Sequence, residues 1–336
     1  MTTIYDIAKA AGVTATTVSN VLHGKGSVSA ATRARVMQYV QDMKYSPNMV
    51  ARSLIQGRTK IIGLVLRDLN SPFFSEITTA VESLAYQADL RVFVSTFTTD
   101  NQVNQHMLQD LALRRVDGIL VLSSAIKPRE LQTFSLPNLP LVYCLGESDA
   151  SKIFPAVSFD FYQGGRLAAE HLLALEHRNI GIITHKTPEG GIEHFARVNG
   201  MLETLSKHQI TVDEGMIKAG QSCLEDGRAA AYELLSGPQR PTAIFTTNDL
   251  MAIGTISAAW QLGIRIPEDL SVIGFDDISL ARFTTPPLTT IKLDTNAMAK
   301  QAIELLQQTI SQPDNPSPPL IPVRLVERAS TGFAHR

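Results

Sequence analysis

Apolar residues recur at two different spacings along this chain, and the change falls near residue 60. In the stretch TIYDIAKAAGVTATTVSNVLH, which begins at Thr3, Ile4, Ile7, Ala8 and Ala11 return at helical intervals. Thr3, with Asp6 three residues on, predicts a capping-box start for that helix. Gly12 predicts a left-handed turn, Val13 a plug between helices, and Thr14 the cap of a second helix with Val18, Val21 and Leu22 on its apolar face. The other face is small and polar: Ala15, Thr16, Thr17, Ser19 and Asn20. A short helix with so slim a front fits the major groove of DNA, although an ordinary helical hairpin has the same apolar pattern. A third helix is predicted from Ser29, with Val36, Met37, Val40 and Met43 as its buried stripe. Pro47 stops it before a short segment from Asn48 to Gln56.

From Ile61 the rhythm becomes one of β-branched apolar runs alternating with amphipathic stretches. IIGLVL, RVFVST, DGILVLS and LPLVYCL read as strands, with helices expected from about Phe73 to Gln87 and from Asn101 to Arg114. A second series opens at AVSF and continues through NIGIIT, MIKAG, TAIFTT and SVIGF, with helices near 164–175, 194–207, 225–235 and 250–262. The tail PPLTTIKLDTNAMAKQAIELLQQTI adds a strand and a helix, and LIPVRLVE a last strand. Two such series predict two lobes, each a parallel sheet covered on both faces. Ligands of doubly wound sheets lie beyond the carboxyl ends of the strands. That rule selects Arg67 to Phe74, Arg197, Asn248 with Asp249, and Asp276 with Asp277. Carboxylates, an amide and an arginine with an aromatic opposite suit a small polyhydroxylated ligand.

A length of 336 residues implies two or three domains, and 44% hydrophobic content supports a sizeable core. The net charge of −2 conceals an asymmetry: residues 1–60 hold eight basic and two acidic residues (+6), leaving 22 basic and 30 acidic (−8) for the rest. A basic headpiece on an acidic body is the pattern of a module that meets phosphates. Cys144 and Cys223 are far apart without metal-spaced partners and are expected to be reduced, buried thiols. There is no apolar signal region and no run of membrane-spanning length, which predicts a cytoplasmic location. No nucleotide-binding glycine motif follows a strand, no Ser/His/Asp set appears, and His171, His177, His185 and His194 are scattered, so neither a cofactor, a metal nor an enzymatic reaction is expected.

The motifs YDIAKAAGVT and TTVSNVL, the helix ending in KYSPN, and VARSL ahead of the second part resemble the lactose-repressor and galactose-repressor family of bacterial transcription regulators. The resemblance runs on through DLNSPFF, RVDGILVL, TTNDLMAIG, SVIGFDDI and LVERAS, nearly the whole chain. It implies an all-α helix-turn-helix headpiece (1–46), a hinge (47–60) and an α/β sensor of two doubly wound lobes (61–336), like a periplasmic binding protein. Lobe 1 is expected at about 61–158 plus 288–318, and lobe 2 at 159–287 plus 319–336, with three crossings between them. The implied function is a repressor whose affinity for a palindromic operator is set by a small-molecule effector, a sugar or sugar derivative first. The implied state is a homodimer without a membrane partner, associated with the nucleoid when bound to DNA. A solute-binding protein or a sugar-processing enzyme are the alternatives.

By the same resemblance, DNA contacts fall on Thr3, Tyr5, Thr14, Ala15, Thr16, Thr17, Ser19, Asn20, His23, Ser29, Asn48, Ala51, Arg52 and Leu54. Ala15, Thr16 and Asn20 are the base-reading positions, and Leu54 is the hinge leucine that wedges into the minor groove. Effector contacts fall on Phe73, Phe74, Arg197, Ser222, Asn248 and Asp276. Two departures stand out. The loop AGQSCLEDG lacks the aromatic that sugar- and purine-binding relatives place near Ser222, and Glu176 stands where the family usually has the glycine that ends a helix.

Overall fold

The structure, a computed structural model, describes residues 2–22, 24, 26–45, 57–98, 100–122, 128–134, 139–146, 152–185, 196–312 and 317–335. The chain divides into two units, Met1–Thr59 and Lys60–Arg336. In the first, α1 (Ile4–Ala11), α2 (Ala15–Leu22) and α3 (Ala30–Asp42) close around Ile7, Ala8, Ala11, Val18, Val21 and Val36. The chain's own side chains set each helix start. The Thr3 amide donates to Asp6 Oδ2 at 2.8 Å, and the Asp6 amide to Thr3 Oγ1 at 3.3 Å, completing the capping box. Gly12 takes φ +62°, where a β-carbon would be strained, and lets the chain turn into α2. Of the expected α3 stripe, Val36 is buried and Val40 and Met43 pack against the core, but Met37 is 39% exposed, because it lies about 100° around the helix from Val36 and off that face.

The second unit holds two sheets. The first has the order β2-β1-β3-β4-β5, all parallel: β1 (Ile61–Leu66), β2 (Arg91–Thr96), β3 (Gly118–Leu122), β4 (Leu141–Cys144) and β5 (Ala156–Val157). Its residues alternate between two cores. Leu64, Leu66, Leu120 and Leu122 face α4 (Pro72–Gln87), while Val65, Ile119 and Val121 face α5 (Asn101–Leu113) and α6 (Pro128–Thr133). The second sheet has the order β11-β10-β9-β8-β6-β7. It is built from β6 (Ile180–His185), β7 (Ile217–Gly220), β8 (Ala243–Thr246), β9 (Ser271–Asp276), β10 (Thr289–Lys292) and an antiparallel edge, β11 (Arg324–Val326).

Two helix pairs cover that second sheet, α7 (Phe161–Ala174) with α8 (Ala196–Lys207), and α9 (Leu224–Ser236) with α10 (Asp249–Gln261). Both pairs approach through glycine. A β-carbon on Gly200 would lie 2.1 Å from the Tyr162 carbonyl oxygen, and one on Gly254 would lie 2.2 Å from that of Leu224. The last helix, α11 (Thr295–Ser311), packs on α4 and on β3 to β5 of the first lobe.

Three expectations about boundaries change. AVSF does not open the second sheet; β5 pairs with β4 and closes the first. Residues 288–292 were assigned to lobe 1, but β10 runs parallel to β9 inside the second sheet, so the chain crosses over between Lys292 and Thr295. Cys144 is buried as expected, whereas Cys223 is only half-buried and stands at the start of α9. Glu176 occupies the expected left-handed position, with φ +66°, where the Glu176 and His177 amides turn back onto the end of α7.

Candidate functional site

In the headpiece, α2 turns Val18 and Val21 inward and leaves Thr16 exposed, with Ala15, Thr17, Ser19 and Asn20 half-buried. Tyr5 is 74% exposed. Thr14 and Ser29 are exposed too, and the structure gives them a second task. The Thr14 hydroxyl accepts the Thr17 amide at 3.1 Å, and the Ser29 hydroxyl accepts the Thr32 amide at 3.2 Å, so both cap helices. Arg33 Nη1 donates to the Val21 carbonyl at 3.2 Å, closing the carboxyl end of α2. His23, Asn48, Ala51, Arg52 and Leu54 lie outside the described residues.

In the sensor unit a cleft of about 510 Å³ opens between the lobes, at the carboxyl ends of the strands. It gathers all six predicted effector residues: Phe73, Phe74, Arg197, Ser222, Asn248 and Asp276. Lobe 1 gives the aromatic wall. Phe73 and Phe74 open α4 and meet edge to face, with ring centroids 5.4 Å apart.

Lobe 2 gives the polar floor, and most of its groups are locked. The Arg197 guanidinium lies against two adjoining rings, its central carbon 4.4 Å from the centroids of both Phe161 and Phe275. Its Nη1 donates to the Thr247 carbonyl at 2.6 Å and stands 3.9 Å from Asp276 Oδ1. Asn248 has the double character its position suggests: Oδ1 caps α10 by accepting the Met251 amide at 2.8 Å, while Nδ2 donates to the Ser222 carbonyl at 3.3 Å. Ser222 itself sits at φ +67°.

Asp276 ends β9 with its side chain 11% exposed, and among the described residues no donor is hydrogen-bonded to its carboxylate. Burial pushes its pKa up to about 7, a rise that Arg197 opposes and Glu76 reinforces. Asp277, by contrast, is bound to Arg328 at 2.5 Å and to Lys292 at 3.4 Å, a structural ion pair. Asp249 lies fully buried behind the floor. It accepts the Ile278 amide at 2.9 Å and the Thr290 hydroxyl at 2.5 Å, and so fixes the turn that carries Asp276. Burial and the neighbouring Asp276 hold the Asp249 carboxyl well above the ordinary carboxylate range.

Two further residues line the cleft: His185, which the sequence reading did not select, and Arg67, which the strand-end rule selected but the effector contacts implied by the resemblance left out. His185 ends β6, and its Nδ1 is 3.0 Å from the Thr247 hydroxyl. Burial, Arg197 and Arg67 hold its pKa well below the usual histidine value, so the ring is neutral. Arg67 follows β1 and reaches across to lobe 2, donating to the Gln221 carbonyl at 3.0 Å and to the Ser222 hydroxyl at 3.3 Å. Their place just after strands was the available signal.

A helix-turn-helix unit followed by a two-lobed α/β unit with a polar cleft defines a DNA-binding regulator controlled by a small molecule. Residues 3–48 match the model of bacterial regulatory proteins of the lacI family, and residues 169–331 that of a periplasmic binding protein-like domain. The HTH-type transcriptional repressor PurR of Haemophilus influenzae is 36% identical over 316 residues, 94% of this chain and 93% of that protein. A solved structure of the Lac repressor dimer bound to operator and the anti-inducer ONPF superposes with a TM-score of 0.89 at 28% identity, over 98% of this chain and 99% of that one. A complex of the transcriptional regulator CelR with cellobiose gives 0.71 at 27% identity, over 98% of this chain and 100% of that one. The chain belongs to the lacI family of bacterial regulatory proteins. It is a DNA-binding transcription regulator and not an enzyme. Among the described residues no helix is long and apolar enough to cross a membrane.

Proposed function

We propose that the chain is a cytoplasmic repressor, dimeric on a palindromic operator, whose cleft takes a sugar or sugar derivative. The observation that carries the effector reading is Asp276, a buried carboxylate with no hydrogen-bond donor among the described residues, beside a locked arginine. A carboxylate so placed accepts two hydroxyl donors of a polyol, and Arg197 fixes its orientation. Phe73 and Phe74 supply the apolar wall, and Asn248 and Ser222 the remaining polar edge. A solved Lac repressor is bound to ONPG and a solved CelR to cellobiose, which supports a small-molecule effector here.

On the DNA side, Asn20 is assigned to adenine, Ala15 or the Thr16 methyl to a thymine methyl, and Leu54 to the central minor-groove step. The neighbouring contacts at Thr3, Tyr5, Thr14, Thr17, Ser19, His23, Ser29, Asn48, Ala51 and Arg52 then fix register on the phosphates. A dimer supplies the two headpieces that a palindrome requires. Phe93 and Val94, exposed on the edge strand β2, and Phe283 and Leu280 offer apolar surface for the second copy. Selection of binding sites from random duplex DNA tests the reading. The expected product is a pair of inverted half-sites whose affinity changes when a sugar is added; single half-sites with no response to any sugar would oppose it.

A further inference from the structure

Arg67 is the cleft residue whose surroundings fit its chemistry least. Its guanidinium is planar, permanently charged and built for paired oxygens of an anion. Yet the two partners it holds across the cleft, the Gln221 carbonyl and the Ser222 hydroxyl, are neutral. The neighbouring carboxylate, Asp68, makes only a long ion pair with it, Oδ2 standing 3.7 Å from Arg67 Nε and beyond hydrogen-bond reach, which leaves the two terminal nitrogens of the guanidinium on neutral partners. Arg197 differs, lying against two rings and only 14% exposed.

A second, independent feature favours negative charge at the same end of the cleft. Two helices begin there, α4 after Ser71 and α9 after Cys223, and both N-cap residues line the cavity without capping their helix by a side-chain hydrogen bond. The amides of such first turns carry partial positive charge and attract anions. Among the described residues three acids line the cavity. Asp68 serves backbone amides, Glu225 lies in the first turn of its own helix, and Asp276 faces Arg197 with its pKa raised.

We propose that Arg67 makes the cleft a site for an anionic polyhydroxylated effector, a sugar acid or a sugar phosphate, whose carboxylate or phosphate displaces the Gln221 carbonyl and Ser222 hydroxyl from the guanidinium. The inference rests on the effector reading above: Asp276 holds the hydroxyl end and Arg67 the charged end. Because the displaced groups belong to lobe 2 and Arg67 to lobe 1, the anion bridges the lobes in their place.

The test titrates the full chain by calorimetry with a hexose, its 6-phosphate, its uronic and aldonic acids, and inorganic phosphate. The wild type is compared with Arg67→Gln and Asp276→Asn after circular dichroism has verified folding. An acidic compound should bind at least about tenfold more tightly than the neutral hexose to the wild type, and Arg67→Gln should erase that advantage, the two binding about equally to the same variant. Preference for the 6-phosphate or for the sugar acids identifies which anion the site takes. Binding of the neutral hexose alone, dependent on Asp276, would overturn the anion inference and leave the sugar reading standing. An acidic ligand whose affinity survives Arg67→Gln would overturn the role of Arg67. If none of the compounds binds, the sugar reading fails, and this inference with it.

Discussion

The two lobes of the sensor share one architecture and contribute opposite things to the cleft. Lobe 2 presents polar groups held in place before any ligand arrives: Arg197 against two rings, Asn248 capping a helix, and Asp276 on a turn pinned by buried Asp249. Lobe 1 presents aromatic surface at the start of α4 and one cation, Arg67, that reaches across to neutral partners. The difference teaches where recognition is stored. Binding groups that are pinned beforehand lose little freedom when a ligand arrives, so lobe 2 sets affinity. A wall that touches lobe 2 through few polar bonds, such as Glu76 Oε1 accepting the Ser279 amide at 2.9 Å, is free to change orientation. Lobe 1 therefore transmits.

The strongest way to break this comparison is to unsettle the lobe 2 scaffold. Gly200→Val forces side-chain atoms into the Tyr162 carbonyl and should cost about 3 kcal/mol or more. Gly215→Ala, at a position with nothing within 4 Å, should change urea stability by less than about 0.5 kcal/mol. Asp249→Ala comes next, because it strands the Ile278 amide and the Thr290 hydroxyl in the interior. A loss of about 2–4 kcal/mol is expected, with effector binding weakened in the remaining folded protein. Phe74→Ala on the lobe 1 wall should be milder, weakening effector binding about tenfold while leaving operator affinity without effector unchanged.

Two groups should make the stability of lobe 2 depend on pH in opposite senses, Asp276 on the cleft floor and His177 at the amino ends of the strands. Asp276 has a folded pKa of about 7, above its unfolded value. Between pH 4 and 7 the folded state therefore holds the extra proton, and stability falls as pH rises. The slope from this group is on the order of 1 kcal/mol per pH unit in that window, and Asp276→Asn should flatten it. His177 behaves in the reverse way. It is buried between the Thr242 and Ser271 hydroxyls and the Gly332 carbonyl, and burial lowers its pKa. Its contribution is fully present above about pH 6.5 and is lost as pH falls below that, so His177→Gln should reduce acid lability in thermal melts.

Much of this was legible in the sequence. β-branched runs marked the strands, Thr3, Gly12 and Thr14 announced the helix-turn-helix, and the residues after β1, β8 and β9 marked the cleft. What stayed hidden depends on contacts between distant segments. TTIK reads equally well as a strand of either lobe, and only its pairing with β9 assigns it. His185 carries no motif, and Arg67 gained its meaning from reaching Gln221, 154 residues away in sequence. Met37 looked apolar enough to be core, but it stands off the face of α3 that Val36, Val40 and Met43 turn inward.

The central claim, that a ligand held by the lobe 2 floor controls the headpiece, is tested most directly by operator affinity with and without effector, in wild type and Asp276→Ala. For wild type the effector should change operator affinity about 5–150-fold, and by reciprocity the operator should change effector affinity by the same factor. Folded Asp276→Ala should bind operator within a few-fold of wild type and lose the response. A folded Asp276→Ala protein that still responds at the wild-type effector concentration would contradict the account.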